Sequence, residues 1–269
     1  MLVTLDHTTH TYTDEKGRLY KSASSLLSDY KHPFEPHKSV QNGKTILQNY
    51  VEKNGADEQF WLDNWEKNKQ FACDRGHAFH SLKELVVANS PFVKIHDEFM
   101  PVRNIGLIWN MIGEGNFRML PHGVYTEMVL WDSLSRTAGT ADLIIIYPDR
   151  TFRVKDYKTN GEFRTESYGN RPMKYPFTNY PDCHLGHYTA QLSLYAWLLI
   201  QFGYTLLDLE VLHYKLDPQD TALIMELDIL PPSLEPTSYF LPYCEDEINT
   251  MISQRIDYLR NFQTKSKYR

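Results

Sequence analysis

The chain has 269 residues, of which 42% are hydrophobic and 23% are charged, a composition typical of a folded domain with a sizeable core. A formal net charge of −6 argues against a nucleic-acid binder that works by bulk positive charge, but it is compatible with an acidic enzyme site that a metal ion neutralises. No run of about 18 apolar residues occurs and the chain does not begin with a basic, apolar leader, so we expect neither a transmembrane helix nor a secretory signal.

The first third of the chain is predicted to be mostly helical. From about residue 38 to residue 90 the pattern is helical, in two or three segments interrupted near Gly55 and Gly76. We therefore expect residues 1–70 to form an N-terminal, mostly helical extension to a core of residues 71–230.

The pattern changes to strands near residue 122. Three β-rich runs, GVYTEMVLW, TADLIIIY and FRVKDYK, are separated by turn residues. A loop of about 25 residues follows, from Asn160 to Gly186, a length that is uncommon unless the loop is functional or disordered.

The rest of the chain alternates helix and strand. A helix is predicted for residues 187–202, followed by two strands, DLEVLHYKL and ALIMELDIL. A C-terminal helix from about residue 245 to residue 262 and a basic tail make up most of residues 231–269. The order of elements predicts one domain of residues 1–269, of the α/β or α+β class.

The second and third β-rich runs are predicted to form a hairpin whose turn is centred on Asp149. Facing residues then have numbers that sum to 298, which pairs Ile144 with Val154 and Asp142 with Asp156. Two carboxylates facing each other, with Cβ atoms roughly 5 Å apart, repel unless one is protonated or a cation lies between them. A hard divalent cation such as Mg²⁺ suits such ligands.

Lys158 follows Asp156 on the same face of the strand, about 7 Å further along. An ammonium group in this position can orient a water molecule or stabilise phosphate charge. The strand therefore predicts a metal-and-lysine site, and the alternative is an edge hairpin whose charged end simply reaches solvent.

These residues resemble the PD-(D/E)XK nucleases of the RecB-like branch. The segments GTAD and VKDYKT resemble motifs II and III of that family, and RGHAFHSLKE resembles its upstream Gly-x-x-x-His helix. QLSLYAWLL resembles its downstream Gln-x-x-x-Tyr helix, and TEMVLW resembles the preceding strand, which often carries an acid. The match covers roughly residues 70–216, and further segments resemble phage-type exonucleases and mitochondrial genome maintenance exonucleases.

The resemblance implies a restriction-endonuclease-like core with a central mixed five-stranded sheet, and it implies Mg²⁺ or Mn²⁺ as cofactor. It assigns the metal ligands to the side chains of His80, Asp142 and Asp156 and to the backbone carbonyl of Tyr157. The iron–sulfur members of the branch need four cysteines and this chain has three, so we expect no cluster.

The resemblance also assigns roles around the reacting phosphate. Lys158 would position or activate the attacking water, and Glu127 would be a supporting acid on the preceding strand. Gln191 and Tyr195 would buttress Lys158 and contact the nucleic-acid backbone. The alternative for the Gln191–Tyr195 pair is an internal structural hydrogen bond, since this helix is apolar nearly all round.

The choice of His80 depends on the face of its predicted helix. Apolar residues at positions 78, 82, 85 and 86 form the predicted buried stripe, with His77 and His80 together on the opposite side. The family spacing of four residues from Gly76 favours His80 over His77. A solvated polar helix face is the alternative.

The long loop combines cations with aromatic residues, a mixture that suits single-stranded DNA, although many mobile loops share it. The candidate substrate-binding residues are Arg164, Arg171 and Lys174, with Tyr168, Tyr175 and Phe177 as stacking partners.

We therefore expect a cytoplasmic, metal-dependent DNA exonuclease that hydrolyses phosphodiester bonds from single- or double-stranded ends, in recombination, repair or phage DNA processing. A single-strand annealing protein or another replication or recombination protein is a candidate partner, and no membrane association is expected. The alternatives are a structure-specific or restriction-like endonuclease of the same fold, and a DNA-binding module without activity.

Overall fold

The computed structural model describes residues 2–38, 43–95 and 97–266. The strands are β1 (Val3–Asp6), β2 (Thr11–Asp14), β3 (Leu19–Ser22), β4 (Phe92–Ile95), β5 (Glu98–Pro101), β6 (Gly123–Asp132), β7 (Thr137–Ile146), β8 (Thr151–Lys158), β9 (Thr205–His213) and β10 (Thr237–Leu241). The helices are α1 (Ala23–Ser28), α2 (Ile46–Asn54), α3 (Glu58–Ala88), α4 (Ile105–Ile112), α5 (His184–Ile200), α6 (Pro218–Leu227) and α7 (Glu245–Ser266).

Eight of the strands form one mixed sheet. β6, β7 and β8 are an antiparallel meander, β9 lies parallel to β8, and β10 pairs antiparallel with β9. β4 and β5 form a separate two-stranded hairpin. The predicted mixed α/β architecture is confirmed, but the predicted number of five strands in the central sheet is wrong.

The start of the chain accounts for most of this difference. β1, β2 and β3 pair antiparallel with one another, and β3 joins the main sheet parallel to β7, with Lys21 opposite Thr137. The expectation of a mostly helical N-terminal region is therefore wrong for its first 22 residues. Each of these strands has only four residues, with one or two buried positions such as Tyr12 and Tyr20, and so short a run carries little periodic signal.

Two helices also differ from the prediction. α3 continues through Gly76, since a single interior glycine costs a helix only about 1 kcal/mol. The segment ALIMEL, predicted as a strand, belongs to α6, where Asp217 and Asp220 cap each other's backbone N–H groups and Pro218 occupies the first turn. This start signal decides for a helix despite the apolar composition. Among the described residues, no helix combines the length and the apolar character needed to span a bilayer.

β7 and β8 pair in the predicted register. Ile144 lies opposite Val154 and Ile146 lies opposite Phe152, and all four side chains are buried. Burial stabilises each of them by roughly 1.5–3 kcal/mol, and a shift by one residue would turn them to the other face. The hydrophobic pattern therefore fixes the positions of the polar residues at the far end of the hairpin.

The largest hydrophobic core lies between the sheet, α5 and α7. It extends from Val3 in the first strand to Ile252 in the last helix, so the two ends of the chain pack on the same core as the central strands. α3 packs near the other face of β8, where Phe79 contacts Tyr157 and Tyr214. The end of β8 is thus held between α5 and α3.

The sheet forks at β7. One edge of β7 pairs with β6 along its length, whereas the other edge pairs with β3 at its start and with β8 at its end. The fork arises because β3 stops at Ser22, whose hydroxyl caps α1, and the chain turns away from β7. Between the two partners, residues 139–142 have no described strand paired with them on this edge.

Candidate metal centre

Three acidic residues form a row across β6, β7 and β8 at the fork. The β6–β7 register places Glu127 opposite Asp142, between the pairs on either side. The β7–β8 register places Asp156 opposite Asp142, one position beyond the last paired residues. Neighbouring strands are about 4.8 Å apart, so the three carboxylates are crowded together.

The backbone ladder is interrupted at this row. Glu127 and Asp142 are not paired, although the residues on both sides of them are. Glu127 has φ = +45°, a left-handed conformation that costs a residue with a side chain about 1–3 kcal/mol. The carboxylate of Asp142 instead accepts a hydrogen bond at 2.7 Å from the backbone N–H of Tyr157. Strained strand residues of this kind are concentrated at functional sites.

His80 on α3 completes a triad of potential metal ligands with Glu127 and Asp142. One ligand atom from each of the three side chains lies within 4.8 Å of the other two. Nδ1 of His80 is 3.3 Å from Oδ2 of Asp142. A helix and two strands that are distant in sequence therefore converge at this point.

Asp156 lies outside this triad and is paired with Lys158. The ammonium group of Lys158 forms an ion pair with Oδ2 of Asp156 and donates a hydrogen bond to the carbonyl oxygen of Tyr157 at 3.3 Å. Both side chains of the ion pair are largely buried. The carbonyl that the resemblance assigns to the metal is therefore directed at Lys158 in this arrangement.

The acids of the row differ in their affinity for protons. Burial and repulsion from Asp142 raise the pKa of Glu127 to about 7, and burial, partly opposed by Lys158, raises the pKa of Asp156 to about 6. Burial also disfavours ionisation of Asp142, but His80 and a backbone N–H hold its pKa below the ordinary value. Burial disfavours the charged form of His80, yet Asp142 outweighs it and the pKa of His80 is raised. Burial and mutual repulsion thus favour the protonated forms of Glu127 and Asp156, and Asp142 favours the charged form of His80.

The donor set fits a hard divalent cation. Two carboxylates and an imidazole are ligands that Mg²⁺ or Mn²⁺ accepts. Oδ2 of Asp156 is buried and is ion-paired with Lys158. Glu127 and Asp142 have no such lysine or arginine partner among the described residues, so a divalent cation would supply positive charge where the row has least of it. His80, Glu127 and Asp142 would hold the ion, with Asp156 adjacent.

The buried face of α3 is only partly the one expected. Ala78 and Leu82 pack against the cluster around Phe79, which is itself fully buried, but Leu85 and Val86 are more than half exposed. Since Phe79 anchors the helix, His80 next to it is turned toward Asp142, and His77 lies exposed at the surface. The choice of His80 over His77 agrees with the geometry, but the helical pattern alone did not justify it.

Gln191 and Tyr195 lie one turn apart on α5 and bond to each other, with Nε2 of Gln191 donating to the Tyr195 hydroxyl at 3.2 Å. Tyr195 is only 4% exposed. A Cβ atom on Gly139 would lie 2.6 Å from the Tyr195 ring and 2.9 Å from Cβ of Ala23. The buried tyrosine therefore fills the fork of the sheet. This arrangement matches the alternative of an internal structural hydrogen bond between Gln191 and Tyr195, and it leaves Tyr195 out of reach of a nucleic-acid backbone.

Tyr188 is a neighbour of Lys158 that the sequence reasoning missed. Nζ of Lys158 lies 5.0 Å from the centroid of the Tyr188 ring, within the range of a cation–π interaction. The Tyr188 hydroxyl donates to Oδ1 of Asn160 at 3.4 Å, which fixes the ring. The signal was available, since Tyr188 precedes Gln191 by three residues and shares its side of the helix.

The candidate substrate-binding cations of the long loop are Arg164, Arg171 and Lys174. All three are exposed, and each has a local partner, an acidic side chain for the arginines and a backbone carbonyl for the lysine. Tyr168 and Tyr175 are exposed, as stacking on bases requires, but Phe177 is fully buried. The expectation that Phe177 stacks on nucleic acid is therefore wrong.

Comparison of the chain with protein-family models gives no match, and comparison with curated proteins gives no significant match. A functional assignment therefore depends on the geometry of the site and on the motif resemblance.

Proposed function

We propose that the protein is a metal-dependent nuclease that hydrolyses phosphodiester bonds in DNA. The observation that carries this proposal is the buried row of Glu127, Asp142 and Asp156 across three strands, with His80 beside one end and Lys158 beside the other. Such a row is costly in a protein without a cation partner, because like charges that face each other destabilise a sheet. The resemblance to PD-(D/E)XK motifs II and III supports the same conclusion.

The protein's own groups have distinct roles in this reaction. His80, Glu127 and Asp142 would hold a Mg²⁺ or Mn²⁺ ion near the scissile phosphate. When bound, such an ion stabilises the developing phosphoryl charge and lowers the pKa of a water molecule. Asp156 and the carbonyl of Tyr157 fix the ammonium group of Lys158.

Lys158 acts as a positive charge and hydrogen-bond donor. Burial works against its charged form, but the nearby Asp156 and Asp142 outweigh burial and hold its pKa above the ordinary value. The side chain is therefore protonated at neutral pH in the metal-free protein and does not accept a proton from water. It can instead donate to a phosphate oxygen and orient the attacking water.

Within the nuclease class, we propose an exonuclease. This preference is based on the resemblance of the α5 segment QLSLYAWLL to the Gln-x-x-x-Tyr helix of RecB-like and phage-type exonucleases. The geometry of the acid row is equally suited to an endonuclease, so the two activities have to be distinguished by the DNA substrates that are cleaved.

The first test compares DNA with and without ends. End-labelled linear DNA and covalently closed circular DNA are incubated with the purified protein and Mg²⁺, Mn²⁺ or EDTA. We expect degradation of the linear form only, and only with a metal. Equal cutting of the circle would instead indicate the endonuclease, and no cleavage of either form with any divalent metal would contradict both assignments.

Two variants test the assigned residues. Asp142→Asn and Lys158→Ala should each reduce cleavage by about a hundred- to a thousandfold, in line with losing a principal charge-stabilising group. Lys215→Ala, which removes an exposed lysine, is the matched control and should leave cleavage unchanged. DNA binding measured in Ca²⁺ should survive Lys158→Ala. A wild-type protein that binds DNA but never cleaves it would indicate a DNA-binding module.

A further inference from the structure

A second buried carboxylate, outside the acid row, contacts an arginine, a histidine and a backbone N–H group. The side chain of Asp182 is 2% exposed, and its two oxygens are both occupied. Oδ1 lies 2.7 Å from Nε2 of His187, while Oδ2 accepts the backbone N–H of His32 at 3.1 Å and pairs with Arg171 at 3.1 Å. Asp182 thus joins the start of α5, the long loop and the segment after α1.

Lys31 lies beside this cluster without a partner of its own. Its side chain is half-buried, and it forms no ion pair or side-chain hydrogen bond with the residues that the structure describes. Burial lowers its pKa, Asp182 partly restores it, and repulsion from Lys158 lowers it again. The geometry agrees, because His32, the next residue, donates its N–H to Asp182, and the ring of Tyr188, which follows the Asp182 partner His187, lies 5.0 Å from Nζ of Lys158.

The backbone holds Lys31 in this position. The carbonyl of Tyr30 accepts the N–H of Lys174 at 2.9 Å, and the N–H of His32 donates to Asp182. The residues on both sides of Lys31 are thus tied to the long loop. These bonds fix the backbone of Lys31 beside Asp182 and the long loop.

Two acids of this region already have cationic partners. Lys158 is paired with Asp156 and Arg171 is paired with Asp182, so neither acid is left as a separate partner for Lys31. A half-buried ammonium group without a partner loses hydration that no protein contact replaces. An anion bound here would provide that contact, and the anion that the proposed reaction brings to Lys158 is phosphate.

We propose that Lys31, with Arg171 and His187 arranged around Asp182, forms a phosphate-binding subsite next to the metal centre. The identity of its ligand as a DNA phosphate rests on the proposed function. The ligand is a phosphate group neighbouring the scissile one, either a terminal monoester or an internal diester of the strand. Holding that phosphate sets the position of the strand relative to Lys158, and a terminal monoester held there would select DNA ends.

The test measures binding separately from cleavage. Short single-stranded and duplex oligonucleotides that carry a 5′-phosphate, a 3′-phosphate or only hydroxyl ends are titrated against the protein in Ca²⁺, and again in EDTA. Lys31→Gln should weaken binding of the phosphate-bearing ligand by about ten- to a hundredfold, the range for one charge-assisted hydrogen bond. Lys31→Arg should retain most of the affinity, and Lys215→Gln is the exposed-lysine control.

The pattern of lost affinity shows whether the bound phosphate is a terminal monoester or an internal diester, or whether the subsite is absent. A loss confined to one phosphorylated end identifies a terminal monoester, and an equal loss with hydroxyl ends identifies an internal diester. An affinity for every ligand within twofold of the wild type would overturn the proposal. Lys31 has no partner to lose, so Lys31→Gln should fold with at least wild-type thermal stability, and a lower melting temperature would also contradict the argument.

The subsite and the nuclease assignment can fail independently. If the wild type cleaves nothing but Lys31→Gln still weakens phosphate binding, the subsite stands and the nuclease proposal fails. If the wild type degrades linear DNA and Lys31→Gln changes neither binding nor end preference, the nuclease proposal stands and the subsite fails.

Discussion

Glu127→Gln is the substitution for which the structure makes the sharpest prediction. Glu127 is half-buried in a strained conformation, opposite Asp142, and its pKa is raised from 4.5 to about 7. The folded protein therefore binds a proton at Glu127 more tightly than the unfolded chain does. Glutamine has nearly the shape of the protonated acid but carries no charge, so the variant isolates the cost of ionisation.

The pH dependence of the free energy of unfolding follows from the binding of a proton to Glu127. Between pH 4.5 and about 7 the folded state holds more protons at Glu127 than the unfolded state, so the free energy of unfolding falls as pH rises through this window. A shift of this size corresponds to at most roughly 3 kcal/mol at pH 8. Below pH 4.5 the wild type is protonated in both states and the cost disappears. In metal-free buffer, Glu127→Gln should therefore stabilise the protein at pH 8 but not near pH 4.5.

Thermal denaturation in EDTA at pH 4.5, 6 and 8 measures this effect. At about 2–4 °C per kcal/mol, we expect the melting temperature of the variant to exceed that of the wild type by up to about 10 °C at pH 8. Glu226→Gln, on an exposed part of α6, controls for the change in net charge. Added Mn²⁺ should stabilise the wild type at pH 8 and have much less effect on Glu127→Gln. A gain that is the same at every pH, or an undiminished response to Mn²⁺, would refute the assignment.

Three further predictions concern the surroundings of the row. Because a Cβ on Gly139 would lie 2.6 Å from the Tyr195 ring, Gly139→Ala should lower the free energy of unfolding by about 1–3 kcal/mol in urea denaturation. Gly161→Ala is the control, because a Cβ there meets no atom within 4 Å, and it should change the free energy of unfolding by less than about 0.5 kcal/mol. Equal effects of the two substitutions would contradict the packing argument. Tyr188→Leu should lower kcat roughly tenfold by removing the aromatic contact to Lys158, whereas Tyr188→Phe should not, and equal losses in both would disprove a role for the ring. Metal binding should displace protons from the acids with raised pKa, so calorimetry should show that Mn²⁺ affinity increases between pH 5.5 and pH 8 and that binding releases protons. An Mn²⁺ affinity that does not change with pH would argue that the metal binds elsewhere.

The centre of the site could be predicted because it depends on local pattern. The alternating apolar residues of β7 and β8 fix one register, and that register alone brings Asp142 opposite Asp156. No knowledge of the rest of the fold was needed for this step. Lys158 follows from the same alternation.

The remaining parts of the site depend on contacts between distant segments. Glu127 looked like an ordinary polar position on a strand, and only its pairing opposite Asp142 and its backbone conformation distinguish it. The direction of His80 depends on how Phe79 packs against β8. The cluster at Asp182 joins three segments from opposite ends of the chain, and no spacing rule connects them.

The three short strands β1–β3, in a region expected to be helical, explain why the acid side chains can lie so close together. A fully paired β7 would be bonded along both edges, and its residues 139–142 would be locked into a regular ladder. Because β3 ends at Ser22 and the chain turns into α1, Ala23 and Tyr195 fill the space over Gly139 in place of a strand. Asp142 is then free to bond the N–H of Tyr157 through its carboxylate. An N-terminal truncation that removes β1–β3 should accordingly disorder the acid row, although none of its residues lies in the deleted segment.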